Sequence, residues 1–299
     1  MKSREKLDRK VETPYTFRWL GVGGVQLRYG DRILLIDPFL SRPSFKQVLF
    51  KCLRPNVELL RQEIPTADAI LVTHAHYDHL MDVPAIIHLT GALAYGSENV
   101  VKLLCAANVP KENCVVIKAG DCFEVYPFRV QVIEGRHITF PFFKPKQLPQ
   151  IIAPPRRVWD YQMDACYSFS ITLGEATILI WHSLDIGGAI PAQVLIIDAE
   201  LSLNAFKHLI QRVKPNWVIP IHWDDFFRPL SAPLKPFFRP PERTYFWIGR
   251  IDPPSYVGQL QKRFPGGRVF LPQLLKEVDL NDLIAGQSDK SPPQREGDR

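Results

Sequence analysis

The stretch Leu71-Val72-Thr73-His74-Ala75-His76-Tyr77-Asp78-His79 decides the fold of this 299-residue chain. It continues the apolar run 69–72, which is typical of a buried strand. A strand that ends in His-x-His-x-Asp-His brings three imidazoles and a carboxylate to one point at the edge of a sheet. These groups are the ligands that zinc and similar divalent ions prefer. Two histidines two residues apart on extended backbone face the same side, so the spacing predicts a metal site, and it suits two ions better than one.

The His-x-His-x-Asp-His loop resembles the signature of the metallo-β-lactamase superfamily, whose members carry three further ligands in a fixed order. Candidates for these ligands are His137, Asp185 and His222, and each follows an apolar run that predicts a strand by no more than four residues. The resemblance covers roughly residues 17–270. It implies an α+β fold, the αββα sandwich of two mixed β-sheets flanked by helices.

The resemblance also implies a role for each ligand. The expected cofactors are two divalent metal ions, zinc first, with manganese or iron as alternatives. Their seven ligands would be His74, His76 and His137 on the first ion, Asp78, His79 and His222 on the second, and Asp185 bridging the two. Leu184 stands where the family often has a glycine before the bridging aspartate, which is a departure from the pattern.

The expected reaction is hydrolysis of a small anionic or amphiphilic ester, a phosphodiester or a lactone. The nucleophile would be a hydroxide held between the two metals, and Asp78 would relay a proton to the leaving group as the catalytic residue. Asp37 is expected to support the ligands without binding metal, and Asp224 is expected either to orient the His222 imidazole or to be a surface charge. Asp198, at the end of the apolar run 194–197, is a weaker candidate of the same kind.

Three other classes of protein are alternatives to the hydrolase. A metal-dependent nuclease needs a substantial basic surface, whereas the positive segments of this chain are short, so a nucleic-acid partner is not expected. Redox diiron proteins that share the fold carry a glutamate where this chain has His76, which argues against that class. A catalytically silent metal-binding scaffold is the remaining alternative, and the intact ligand set argues against it.

Composition is that of an ordinary globular protein, with 46% hydrophobic and 23% charged residues. No apolar run approaches the roughly 20 residues that a membrane span needs. The five cysteines show no paired motif and are expected to be buried free thiols in a reducing compartment, which favours a cytoplasmic protein. We expect a disordered basic head at 1–14, one hydrolase domain at 15–286 and a disordered tail at 287–299.

The net charge of +6 is concentrated in short segments. Residues 140–161 and 226–243 each carry a net +3, together hold ten of the 27 prolines, and begin just after predicted ligands. We expect ordered loops in which Phe-Phe pairs either pack as anchors or form a lid for an anionic substrate with an apolar part. Peripheral membrane contact is a further alternative. In the lid interpretation the substrate contacts are Phe142, Phe143, Lys144, Phe227 and Arg228.

Helices are predicted over Val83–Thr90, 98–107 and Leu203–Val213 from their apolar periodicity. Asp82 is expected to cap the first of these helices through its side chain. His88 lies within that helix and is expected to be structural, because a lone histidine on a helix is more often packed or solvated than a metal ligand.

Overall fold

Two seven-stranded mixed sheets and a two-stranded ribbon form the architecture of the chain in a computed structural model. The predicted αββα sandwich is therefore confirmed. The structure describes residues 13–137, 145–150, 152–199, 201–239, 249–250 and 252–284.

The described elements alternate between strands and helices along the chain. The strands are β1 Tyr15–Gly21, β2 Gly24–Tyr29, β3 Arg32–Ile36, β4 Ala69–Leu71, β5 Leu93–Gly96, β6 Cys114–Val116, β7 Cys122–Val125, β8 Phe128–Gly135, β9 Cys166–Leu173, β10 Ala176–Trp181, β11 Val194–Asp198, β12 Trp217–Ile221, β13 Phe238–Arg239, β14 Gly249–Arg250, β15 Arg268–Val269 and β16 Glu277–Asp279. The α-helices are α1 Phe45–Phe50, α2 Val57–Glu63, α3 Tyr77–Leu80, α4 Val83–Thr90, α5 Glu98–Ala106, α6 Leu203–Val213, α7 Pro253–Arg263 and α8 Leu280–Ile284.

The two large sheets have matching topologies. The first has the order β16-β1-β2-β3-β4-β5-β6, antiparallel from β16 to β3 and parallel from β3 to β6. The second has the order β7-β8-β9-β10-β11-β12-β15, antiparallel up to β10 and parallel after it. Neighbouring parallel strands end at the same edge of a sheet, which is where ligands bind in such sheets. Residues that follow β3 and β4, or β10, β11 and β12, therefore collect at shared edges.

Strand alternation explains how the first sheet buries both faces. In β3, Leu34 and Ile36 pack in the cluster between the sheets, whereas Leu35 packs in the cluster under the helices. Ile70 of β4 faces the helices in the same way. Because both faces are covered, these strands are continuous apolar runs without polar alternation.

Helix α4 has the predicted bounds, but Asp82 does not cap it through its side chain. The Asp82 carboxylate instead accepts hydrogen bonds from the backbone N–H groups of Leu40 (2.7 Å) and Ser41 (2.9 Å). Asp82 is fully buried, so these bonds to Oδ2 offset part of the cost of desolvating the carboxylate. The side chain holds the loop after β3 against α4, a long-range role that the local sequence does not reveal.

The five cysteines are free thiols, but the prediction that they are buried is wrong for four of them. Cys52, Cys105 and Cys122 are exposed, Cys114 is half-buried, and Cys166 alone of the five is buried. The reason is their placement, since Cys105 lies on the outer face of α5 and Cys122 opens the edge strand β7.

Several predicted features lie outside the described residues. They are the basic head up to residue 12, the tail 287–299, and the loop residues Phe142, Phe143 and Lys144. Among the described helices, none combines the length and the apolar character that crossing a bilayer requires.

Candidate metal centre

Six of the seven predicted ligands gather in two groups at the edge of the sheets. Within each group, one possible ligand atom from each residue lies within 4.8 Å of the others. The groups are His74, His76 and His137, and Asp78, His79 and His222.

Each group takes ligands from both sheets. The first sheet supplies the motif after β4, where His76 has extended backbone (φ −68°, ψ 152°) and α3 begins at the next residue. This change from strand to helix turns Asp78 and His79 away from the line of the two preceding histidines. The second sheet supplies His137, two residues after β8, and His222, directly after β12. A cation in either group would therefore join the two halves of the sandwich.

Two members of the first group, His74 and His76, are neutral imidazoles. Burial lowers the pKa of His76 to about 3, with a further contribution from His137 beside it. Burial also lowers the pKa of His74 well below its usual value. The Nε2 atom of His74 lies 3.1 Å from the Nδ1 atom of His76. Neutral imidazoles offer lone pairs, and close placement of these nitrogens suits a cation.

The second group contains an ionised carboxylate, that of Asp78. Burial alone would raise the pKa of Asp78, but the neighbouring imidazoles, His79 first, hold it well below its usual value. Burial alone would lower the pKa of His79, but the carboxylates of Asp37 and Asp78 raise it. The Asp78 Oδ2 atom lies 3.6 Å from His79 Nε2 and 3.8 Å from His222 Nε2. A carboxylate between two imidazole nitrogens is a donor set that fits a divalent ion such as zinc.

Asp37 lies behind His79, as the sequence led us to expect of a supporting residue. Its carboxylate is fully buried and lies 2.7 Å from His79 Nδ1. It also accepts hydrogen bonds from the Thr73 N–H (2.8 Å) and from the Thr73 hydroxyl. A carboxylate on one ring nitrogen fixes the orientation of the imidazole and leaves the other nitrogen for a metal.

Asp185 is not brought to either group of ligands. Its side chain is exposed, and its Oδ1 atom accepts a hydrogen bond from the Gly187 N–H at 2.9 Å. The location of Asp185 therefore does not match the predicted role of a ligand that bridges two metal ions. Three residues separate the end of β10 from Asp185 and carry it beyond the sheet edge, while His182 takes the place directly after the strand.

Asp224 supports His222 through the backbone, not through the imidazole as predicted. It is buried, and its Oδ1 atom accepts a hydrogen bond from the Val22 N–H at 2.9 Å. The Val22 carbonyl in turn accepts the His222 N–H at 2.9 Å. His222 has a φ of +59°, a conformation that non-glycine residues rarely adopt. The contact through Val22 helps to hold this conformation.

His182 and Asp198 are two polar residues at the same edge that the sequence analysis left out of the ligand set. Their side chains pair through His182 Nδ1 and Asp198 Oδ2 at 2.6 Å. Both line the small cavity between the two groups of ligands, together with Arg136. The available signal was their position, since each stands at the end of an apolar strand run.

The phenylalanines of the 226–243 loop pack against each other. The ring centroid of Phe226 lies 4.4 Å from that of Phe227 and 4.5 Å from that of Phe237. Phe226 also contacts Tyr77, which precedes Asp78 in the motif. This packing favours the interpretation of these rings as loop anchors. Phe227 and Arg228 are half-buried, and substrate contact by either stays a prediction.

Known proteins share both the sequence pattern and the fold. A family model described as a Beta-lactamase superfamily domain matches residues 32–152. A UPF0173 metal-dependent hydrolase from Myxococcus xanthus is 30% identical over 139 residues, which are 46% of this chain and 44% of the relative. A probable L-ascorbate-6-phosphate lactonase, UlaG, from Escherichia coli O127:H6 is 28% identical over 157 residues, 44% of each protein. The chain thus matches less than half the length of either relative.

Among solved structures, the metallo hydrolase Igni18 from Ignicoccus hospitalis superimposes with a TM-score of 0.56. The match covers 89% of this chain and 98% of Igni18 at 16% identity, so it demonstrates a common fold alone. Together with the sequence matches, it confirms the resemblance to the metallo-β-lactamase superfamily.

Proposed function

We propose that this protein with the metallo-β-lactamase fold is a dinuclear metal-dependent hydrolase of a small anionic or amphiphilic ester, with a phosphodiester or a lactone as the bond cleaved. The observation that carries the proposal is the pair of ligand groups, each with its donor atoms within 4.8 Å of one another. The relatives named metal-dependent hydrolase and probable lactonase support the same class.

The chemistry divides between the metals and the chain. Two divalent ions, when bound, supply a Lewis acid and lower the pKa of water toward neutrality. His74, His76 and His137 would hold one ion, and the second group, with the ionised carboxylate of Asp78, would hold the other. Asp78 is ionised and half-buried beside His79 and His222, so its carboxylate would take the proton that the attacking water gives up and pass it to the leaving group.

A second cavity beside the first ligand group supports a small substrate. It has a volume of about 320 Å³ and shares His137 and Arg136 with the cavity at the ligands. Its wall includes the apolar side chains of Met163 and Tyr167. Arg136 is exposed at this junction, so its guanidinium offers an anionic group of the substrate a partner next to the ligands. The apolar wall suits the remainder of the molecule.

The direct test is turnover of an activated phosphodiester, bis(p-nitrophenyl) phosphate, by protein loaded with zinc or manganese. A phosphorylated sugar lactone serves as the second substrate. His76→Ala removes a ligand and should abolish turnover and lower the bound metal. His88→Ala is the matched control, because His88 is exposed on α4, outside both ligand groups, and should leave both readings unchanged.

Turnover of the phosphodiester or of the lactone would show which of the two proposed bonds the protein cleaves. Turnover and metal content that survive His76→Ala at the level of the unaltered protein would refute the assignment of the site. Metal bound at both groups with neither substrate hydrolysed would favour the silent scaffold.

A further inference from the structure

The register of the second sheet aligns three polar residues at one edge. In the parallel pairs, Trp181 of β10 lies opposite Ile197 of β11, and Asp198 lies opposite Ile221 of β12. The residue that follows each pair is therefore also aligned. His182 stands beside Asp198, and His222 stands one position beyond it on the other side. Asp198 thus lies on the middle strand, β11, between His182 after β10 and His222 after β12.

The His182–Asp198 pair is fixed in position. The His182 N–H donates to Ser168 Oγ at 3.0 Å, which ties the backbone to the neighbouring strand β9. The 2.6 Å contact between His182 Nδ1 and Asp198 Oδ2 then fixes the rotation of both side chains. Gly23 lies close to the same ring. A Cβ atom at this position would lie 3.1 Å from His182 Cε1 and 3.0 Å from His79 Cε1.

Each partner keeps one buried atom without a hydrogen bond. Among the described residues, His182 Nε2 and Asp198 Oδ1 have no partner, although the His182 side chain is only 2% exposed. The Asp37 carboxylate lies 3.9 Å from His182 Nε2, which is too far for a hydrogen bond. With a proton on Nδ1 shared with Asp198, both free atoms are acceptors. Buried acceptors without donors are costly unless a cation or a donor satisfies them.

Both residues line the cavity at the proposed metal centre. The cavity is lined by His182 and Asp198 together with His74, His79, His137 and His222, and its volume of about 20 Å³ suits a single ion or water. Asp185, the expected source of a bridging carboxylate, does not line it. The cavity therefore has a buried carboxylate oxygen available for a cation, and it comes from β11.

We infer that Asp198 supplies the carboxylate that completes the metal centre in place of Asp185, and that His182 is the positioning residue that holds it. The inference rests on the proposed metal centre. Asp198 would bind the cation through Oδ1 while Oδ2 accepts the hydrogen bond of His182 Nδ1. In the pair of Asp37 and His79, the carboxylate orients the imidazole. In the pair of His182 and Asp198, the imidazole orients the carboxylate.

Cobalt(II) binding without substrate tests the inference, since its visible absorption reports the ligands of the ion. Asp198→Asn keeps the shape of the side chain and removes its charge. It should weaken cobalt binding by about 10- to 100-fold at one of the two sites and shift the absorption bands. Asp185→Asn is the matched control and should leave both the affinity and the spectrum unchanged.

The role of His182 is tested by comparing two substitutions. An asparagine side chain can place an amide N–H near the position of Nδ1, so His182→Asn should retain most of the cobalt spectrum, whereas His182→Ala should reproduce the effect of Asp198→Asn. Equal losses in both His182 variants would overturn the positioning role. An Asp198→Asn variant with unaltered affinity and spectrum, or an effect that appears in Asp185→Asn instead, would overturn the inference.

Two measurements distinguish a failure of the inference from a loss of the fold and from a failure of the proposed activity. Urea unfolding of each variant in the presence of a chelator identifies any loss of the fold itself. The cobalt experiment does not involve hydrolysis, so a negative result would leave the proposed activity untouched, and an inactive protein with the expected cobalt changes would leave the inference standing.

Discussion

Arg42 and Asp224 form a buried ion pair close to His222, one of the candidate metal ligands. The Arg42 Nη2 atom lies 2.5 Å from Asp224 Oδ2, and the two side chains are 1% and 0% exposed. Gly21 makes room for the guanidinium, because a Cβ atom at that position would lie 1.7 Å from Arg42 Nη2. Gly21 also has a φ of +91°, which glycine adopts without strain. The pair thus depends on a glycine that the opening turn requires in any case.

At the residue scale we predict that Asp224→Ala lowers the free energy of unfolding by about 3–5 kcal/mol, because it leaves a buried guanidinium without its partner. The Val22 N–H loses its acceptor in the same variant. Urea unfolding monitored by tryptophan fluorescence measures the change. The control is Glu58→Ala, which breaks an exposed pair with Arg61 and should cost no more than about 0.5 kcal/mol. Similar losses in the two variants would contradict the prediction.

Strand β5 and helix α5 meet at a close contact that needs a glycine. A Cβ atom on Gly96 would lie 2.4 Å from Val100 Cγ1 and 2.7 Å from Val100 Cβ. Val100 is fully buried in the first turns of α5, and its branched side chain has little rotamer freedom in a helix. The distance between strand and helix is therefore set by the absence of a side chain at position 96.

At the element scale we predict opposite signs for two glycine-to-alanine substitutions. Gly96→Ala should destabilise the protein by about 1–3 kcal/mol, because α5 must move away from the sheet. Gly258→Ala should stabilise it by about 0.5–1 kcal/mol, because Gly258 lies within α7 with open space around its Cβ position. Both are measured by urea unfolding without added metal. A Gly96→Ala variant at least as stable as the unaltered protein would rule out the packing argument.

The whole molecule is two sheets that meet through a core and through the ligand groups. Each group combines residues that follow β4 with one residue that follows β8 or β12. A cation held by both sheets binds the folded state and not the separated strands. Ligand binding to the folded state alone raises stability in proportion to the logarithm of the ligand concentration.

At the scale of the whole molecule we predict that zinc raises the free energy of unfolding by about 2.7 kcal/mol per bound ion at a concentration about 100 times its dissociation constant. Urea unfolding at a series of buffered zinc concentrations measures this dependence. His137→Ala should remove the contribution of one ion, because His137 is the member of the first group that, among the described residues, comes from the second sheet. His88→Ala should keep the full dependence. Stability that does not respond to zinc in the unaltered protein would exclude a centre shared between the sheets.

Local sequence was sufficient for the features that depend on neighbours along the chain. Helices α4 and α6 have the predicted bounds, because apolar periodicity over one element is set by the faces that the element buries. The six candidate ligands in the two groups were also predictable from sequence, because each stands close to the end of a strand or in the motif itself. Their order along the chain resembled a known family.

Contacts between distant segments were decided by the tertiary structure alone. Asp82 bonds a loop some forty residues earlier in the chain, and Asp224 pairs with Arg42 across the molecule. The role that we propose for Asp198 in place of Asp185 has the same origin. The sequence shows how many residues separate a carboxylate from the end of its strand. The register between β10, β11 and β12 decides which side chains lie next to each other. That register is fixed by the packing of whole strands, and no single segment encodes it.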